Sequence, residues 1–180
     1  MQPRSDSSTL HAVMNRRPTP EPIRNGEESV WDYPRPPLVM PTDEVIEVRV
    51  GEVIVARSEP GRALRVTETA SPPVYYVPQA DVVAGALIPS FGRSVCEFKG
   101  EARYYAVRVA DTEIEQAAWS YPQPWEGFEA LVDHVAFFPG RVDCYVNGER
   151  VTPQEGGFYG GWITSRIAGP CKGAPGTGHW

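Results

Sequence analysis

The chain has 180 residues and a formal net charge of −6. This length suffices for one domain with a buried core and extensions at its ends. An acidic chain without a basic run is a poor candidate for binding a nucleic-acid backbone. No apolar stretch approaches the ~18 residues of a membrane span, and residues 1–17 contain no hydrophobic signal region. We therefore expect a cytoplasmic protein that binds neither nucleic acid nor membrane.

The N-terminal residues 1–28 are polar, rich in Ser, Pro, Arg and Glu, and without apolar periodicity. This composition predicts a disordered leader. The following segment, Trp31-Asp-Tyr-Pro-Arg-Pro-Pro37, favours an extended arm that Trp31 and Tyr33 anchor on a surface. We assign the arm to a main domain that covers residues 29–152.

The central part of the chain alternates apolar and polar residues, as half-buried strands do. In residues 45–50, for example, Ile46 and Val48 alternate with Glu47 and Arg49. Residues 95–109 are interpreted as one long strand. The predicted strands cover residues 45–50, 53–57, 64–67, 74–77, 95–109, 113–121 and 142–146.

Residues 125–135 have the apolar spacing of a helix and follow Pro124, which suits a first helical turn. Asn147-Gly148 is a strong hairpin signal. The glycine-rich extension, residues 153–180, cannot build its own core, but its aromatic residues can dock on one. The fold class predicted is therefore mainly β, a small open antiparallel domain with one amphipathic helix.

Glu68 is the first candidate for the functional site. It continues the face set by Leu64 and Val66, so alternation points its carboxylate inward. An inward carboxylate in a cleft can act as a general acid or base. The alternative is that the strand ends at Thr67 and Glu68 caps the turn before Ser71.

Cys96 and Lys99 are further candidates with catalytic roles. Cys96 lies on an apolar face, where a cysteine is a reactive thiol or a small hydrophobic residue. Strict alternation places Lys99 on the opposite, solvated face, and only a bulge near Gly100 would bring the two together.

An aromatic set completes the candidate site. We assign ligand-binding roles to Tyr76, Tyr104, Trp119 and Tyr121, since aromatic side chains line many small-ligand pockets. The alternative is that they belong to an ordinary β core.

Metal and cofactor signals are absent from the sequence. The three cysteines form no Cys-x-x-Cys pair and the three histidines have no metal-ligand spacing. No P-loop, dinucleotide fingerprint or Gly-x-Ser-x-Gly motif occurs. We expect no metal site and no cofactor.

Several segments together carry a family resemblance. They include Ser71-Pro-Pro-Val-Tyr-Tyr-Val-Pro78, Cys96-Glu-Phe-Lys-Gly100 and Ala118-Trp-Ser-Tyr-Pro122, with matching pieces at residues 28–37, 62–68 and 135–138. They resemble the bacterial family catalogued as domain of unknown function 427, over about residues 28–146. Residues 156–180 look like the extension of a longer subgroup.

The resemblance implies an open antiparallel β fold of the β-tent (Mss4-like) kind. Relatives of that broad fold bind zinc through paired Cys-x-x-Cys motifs, which this chain lacks. We interpret the protein as a β domain with a small-molecule pocket or catalytic cleft. The competing reading is a non-catalytic interaction module that assembles, as a homo-oligomer, through its arm or its tail.

Overall fold

The molecule is built mainly of β-strands, which confirms the predicted class. The computed structural model describes residues 17–180. Its strands are β1 (Glu28–Ser29), β2 (Leu38–Pro41), β3 (Ile46–Val50), β4 (Val53–Ser58), β5 (Leu64–Glu68), β6 (Ser71–Pro78), β7 (Leu87–Cys96), β8 (Gly100–Val109), β9 (Thr112–Ser120), β10 (His134–Phe137), β11 (Asp143–Val146), β12 (Glu149–Arg150), β13 (Thr152–Pro153), β14 (Trp162–Ile163) and β15 (Ile167–Ala168). Short 3₁₀ turns lie at Val30–Asp32, Gln79–Asp81 and Glu129–Leu131.

The strands form two main antiparallel sheets. The larger sheet has seven strands in the order β2-β5-β6-β10-β9-β8-β7, and the smaller has four in the order β12-β11-β3-β4. The predicted hairpin at Asn147-Gly148 is confirmed: both residues have positive φ, as a two-residue turn requires, and they join β11 to β12.

The main hydrophobic core combines side chains from both sheets. Ile46 and Val48 come from the smaller sheet, and Tyr75 and Val77 from the larger one. Tyr76, between these two, belongs to a second apolar cluster instead. Because successive side chains of a strand point to opposite faces, the larger sheet is covered on both faces. The second cluster surrounds the candidate site.

The predicted amphipathic helix at residues 125–135 is wrong. The segment contains only the 3₁₀ turn Glu129–Leu131, and β10 begins at His134. Gly127 and Asp133 both have positive φ, at 90° and 58°, which an α-helix does not accommodate. Phe128 and Leu131 are nonetheless buried in the second cluster, which explains the apolar spacing.

The single strand predicted over residues 95–109 is also wrong. A hairpin turn at residues 97–99 divides it into β7 and β8, and Cys96 pairs with Gly100 across the turn. Gly100 has φ of 106° and packs against Trp125, so neither the conformation nor the space admits a side chain there.

Both ends of the described chain pack together. β1 pairs in parallel with β15. The indole N–H of Trp31, in the arm, donates to the carbonyl of Pro170 at 3.0 Å, and its ring lies 5.8 Å from that of Trp180.

The predicted leader is described only in part, because residues 1–16 lie outside the described range. Residues 17–27 contain no regular element, although the backbone N–H of Glu21 donates to the carbonyl of Gly169 at 2.8 Å. Within residues 17–180 no helix is long and apolar enough to cross a membrane.

Candidate functional site

A cavity of about 190 Å³ opens beside the second apolar cluster, on the larger sheet. All seven residues proposed from the sequence line it. They are Glu68, Tyr76, Cys96, Lys99, Tyr104, Trp119 and Tyr121. They come from β5 to β9 and the connections between and after these strands. The antiparallel order of the larger sheet therefore assembles one site from residues more than fifty positions apart.

Glu68 lies at the end of β5, where the chain turns through Ala70 into β6. Its side chain is 21% exposed and faces the cavity. One Arg35 guanidinium nitrogen lies 3.8 Å from its Oε1. The arm thus supplies a counter-charge to the carboxylate at the rim of the cavity.

The hairpin turn between β7 and β8 brings Cys96 and Lys99 to the same wall. Strict alternation would have separated them, but the turn at residues 97–99 interrupts the strand. Lys99 is only 9% exposed. Among residues 17–180 it makes no hydrogen bond or ion pair through its side chain.

The aromatic walls are held by mutual contacts. The indole N–H of Trp119 donates to the hydroxyl of Tyr76 at 3.3 Å, and their rings meet edge to face. The hydroxyls of Tyr104 and Ser94 are 2.7 Å apart. Burial raises the pKa of Tyr76 and of Tyr121 well above the usual range, so both phenols are neutral donors at physiological pH.

The C-terminal extension forms a wall that the sequence did not predict. Its contributors are Gln154, Phe158, Tyr159, Gly160 and Lys172, and Phe138 lies nearby. Lys172 Nζ lies 5.1 Å from the ring centre of Tyr159. The one sequence signal for this wall is that Lys99 and Lys172 are the only lysines of the chain.

A second cavity of about 340 Å³ adjoins the first. Tyr104, Phe138 and Tyr159 contribute to both. Among the described residues, no group of three or more His, Cys, Asp and Glu side chains is placed to hold a metal ion.

The first cavity combines polar groups with aromatic walls. A carboxylate, a thiol, two ammonium groups and neutral phenols face a space walled mostly by apolar atoms. The fold and site together define a mainly β protein that carries such a cavity on its larger sheet.

Comparison with known families identifies the family of the chain. Residues 38–148 match the model of the family described as Domain of unknown function (DUF427), and the chain belongs to that family. All seven predicted site residues lie within the matched segment, whereas Lys172 and the other extension residues lie beyond it. A search of curated proteins gives no match.

Proposed function

We propose that the protein binds a small organic molecule in the cavity beside Tyr76 and Trp119. One observation carries the proposal: seven residues chosen for their chemistry, from distant parts of the sequence, face a single space. Small-molecule pockets combine apolar walls with a few convergent polar groups, and this cavity has that composition.

Glu68 is the polar anchor of this proposal and its candidate acid or base. Its carboxylate can accept hydrogen bonds from a ligand or take up a proton. Cys96 and Lys99 are the other candidate reactive groups, and Tyr76, Tyr104, Trp119 and Tyr121 form the walls. If the pocket is a catalytic cleft, these three polar residues carry the reaction.

The matched variants Glu68→Gln and Glu97→Gln test the role of Glu68. Both carboxylates lie near Arg35, but Glu97 is 66% exposed and does not line the cavity. We expect Glu68→Gln to keep the fold and to weaken the binding of ligands that donate hydrogen bonds, whereas Glu97→Gln leaves it unchanged. Ligand-observed NMR with a library of single-ring fragments gives the readout.

Two results would count against the binding function. One is a library in which no fragment binds the wild-type protein. The other is a Glu68→Gln variant that loses stability in urea while every fragment affinity stays at its wild-type value, because a purely structural carboxylate behaves in that way.

A second candidate function is a non-catalytic assembly module that acts through the arm or tail. The exposed aromatic side chain of Phe158, in the tail, favours it, since this residue is 68% exposed. Sedimentation velocity distinguishes the two. A concentration-dependent dimer that Phe158→Ser dissociates would support assembly, and a monomer at all concentrations would oppose it.

We also propose a more specific fold, subgroup and domain division for the chain. We assign the two antiparallel sheets to the β-tent (Mss4-like) kind, and the chain to a longer bacterial, cytoplasmic subgroup of its family. We divide the chain into a leader (1–28), a main domain with the arm (29–152) and an extension (153–180). The contact of the extension with the cavity, through Tyr159 and Lys172, supports treating it as part of the site.

A further inference from the structure

The two lysines of the chain share one location. Of 17 Lys and Arg residues, only Lys99 and Lys172 are lysines, and both line the cavity described above. One comes from the β7–β8 turn within the matched family segment, and the other from the C-terminal extension. Tertiary packing alone brings them to the same space.

Both lysine side chains are buried without an ionic partner. Each residue is 9% exposed, although lysines are almost never that buried unless they are paired. Within residues 17–180, neither ammonium group lies in an ion pair, and Nζ of Lys172 lies over the ring of Tyr159. In that range no fully buried polar side-chain atom lacks a hydrogen-bond partner, so each unbonded lysine nitrogen keeps some contact with solvent, and both residues line the cavity.

The charged side chains that line the cavity therefore sum to a positive charge, whereas the whole chain has a net charge of −6. The charged side chains on its wall are Glu68, Lys99 and Lys172. Arg35 already provides a cation near Glu68. The two ammonium groups are therefore available to an anion that enters the space, where the apolar walls make the attraction between opposite charges stronger than in bulk water.

The aromatic residues that line the cavity indicate what the uncharged part of the ligand is like. Tyr76, Trp119 and Phe138 present ring faces and edges, which suit a flat apolar body. At about 190 Å³ the cavity lies below the roughly 300–1,000 Å³ of drug-sized ligand pockets, which favours a small occupant. A single ring that carries one acidic group matches this space.

We propose that the cavity selects an organic oxyanion, a carboxylate or phosphate on an aromatic body, and that Lys99 and Lys172 bind its charged group. This inference rests on the proposed binding function and names its ligand class. Because Lys172 lies in the extension, selection of the acid depends on residues outside the matched family segment.

Three single-ring probes test the charge preference: benzoate, phenylphosphonate and the neutral benzamide. Isothermal titration should show the better anion binding at least about tenfold more tightly than benzamide, as expected for hydrogen bonds to charged groups. Whichever of benzoate and phenylphosphonate binds better identifies the acid.

Lysine variants assign that preference to the two side chains. Lys99→Gln and Lys172→Gln should each weaken binding of the anion about tenfold and leave benzamide unchanged. Arg103→Gln is the matched control, because it removes one positive charge from an exposed position on β8 outside the cavity. It should change neither affinity.

Amine labelling of the wild-type protein gives a readout that does not depend on the folding of any variant. Reductive methylation followed by mass spectrometry reports on Lys99, Lys172 and the terminal α-amine. Saturating benzoate or phenylphosphonate should slow labelling of both lysines, benzamide should slow it less, and the α-amine should serve as the unaffected reference.

The outcomes separate the two proposals. If benzamide binds as tightly as the anions, or both lysines are methylated at full rate under a saturating anion, the ligand class is overturned while the pocket stands. If none of the three probes nor any library fragment binds, both proposals fail. If Arg103→Gln reduces the preference for the anions as much as the lysine variants do, the role of the lysines is also overturned.

Discussion

Gly160 lies where the C-terminal extension meets the indole of Trp119. A Cβ at this position would overlap the six-membered ring of Trp119. We expect Gly160→Ala to destabilise the protein by about 1–3 kcal/mol, the usual range for overpacking, which lowers the melting temperature by roughly 2–12 °C. Differential scanning calorimetry measures this change.

Gly157→Ala is the matched control for this substitution, because nothing lies within 4 Å of a Cβ placed there. We expect its melting temperature to stay at the wild-type value. Equal effects of the two alanines would show that the extension does not rest against Trp119.

At the same scale, alternation predicted the placement of Glu68 but not that of Lys99. Leu64 and Val66 belong to the second apolar cluster and Glu68 lines the cavity, although the pairing of β5 with β6 shifts in register between Val66 and Glu68. For Lys99 the polar and apolar pattern continued through residues 97–99, so the turn was invisible to periodicity. Only Gly100, with its positive φ, marks where the strand reverses.

Among the elements of the extension, β14 contributes most to the core through Trp162. Its indole is fully buried, packs 5.1 Å from the ring of Tyr75 and donates to the carbonyl of Phe137 at 3.1 Å. We expect Trp162→Ala to cost about 3–5 kcal/mol. Urea denaturation followed by circular dichroism gives the free energy of unfolding.

Phe158→Ala is the comparison within the same extension, since Phe158 is 68% exposed. It should change the free energy of unfolding by less than about 0.5 kcal/mol. If Trp162→Ala is equally mild, the extension adds little to the stability of the domain, and its aromatic residues serve another purpose.

At the scale of the element, the helix predicted at residues 125–135 was wrong because the buried residues of a loop can have the same spacing as the apolar face of a helix. Phe128 and Leu131 are three residues apart and both enter the second apolar cluster, but they do so around a single 3₁₀ turn. Gly127, at positive φ, was the local signal against a continuous helix. The strands were easier to predict, since several of them alternate over four or more residues.

At the scale of the whole molecule, the extension and the start of the described chain hold each other in place. Glu28 on β1 pairs with Arg65 on β5, while Ser29 lies beside Ala168 on β15. The backbone N–H of Gly169 donates to a carboxylate oxygen of Glu21 at 3.2 Å. None of these contacts was visible in the sequence, because each joins the N-terminal residues, which lack periodicity, to a distant part of the chain.

Two deletions test how much the N-terminal residues contribute. Removing residues 1–16 should leave the melting temperature unchanged, since their polar composition cannot bury much surface. Removing residues 1–28 also deletes Glu21 and Glu28 and leaves Arg65, whose side chain is 21% exposed, without its carboxylate partner. Hydrogen bonds and ion pairs of this kind are worth about 1 kcal/mol each. We therefore expect the longer deletion to lower the melting temperature by roughly 2–8 °C.

A full-length Glu28→Gln variant separates the ion pair from the other contacts and should account for only part of the loss. Equal melting temperatures for both deletions would show that residues 17–28 add nothing to the folded domain, whereas a loss on removing residues 1–16 alone would show that the polar leader packs on it.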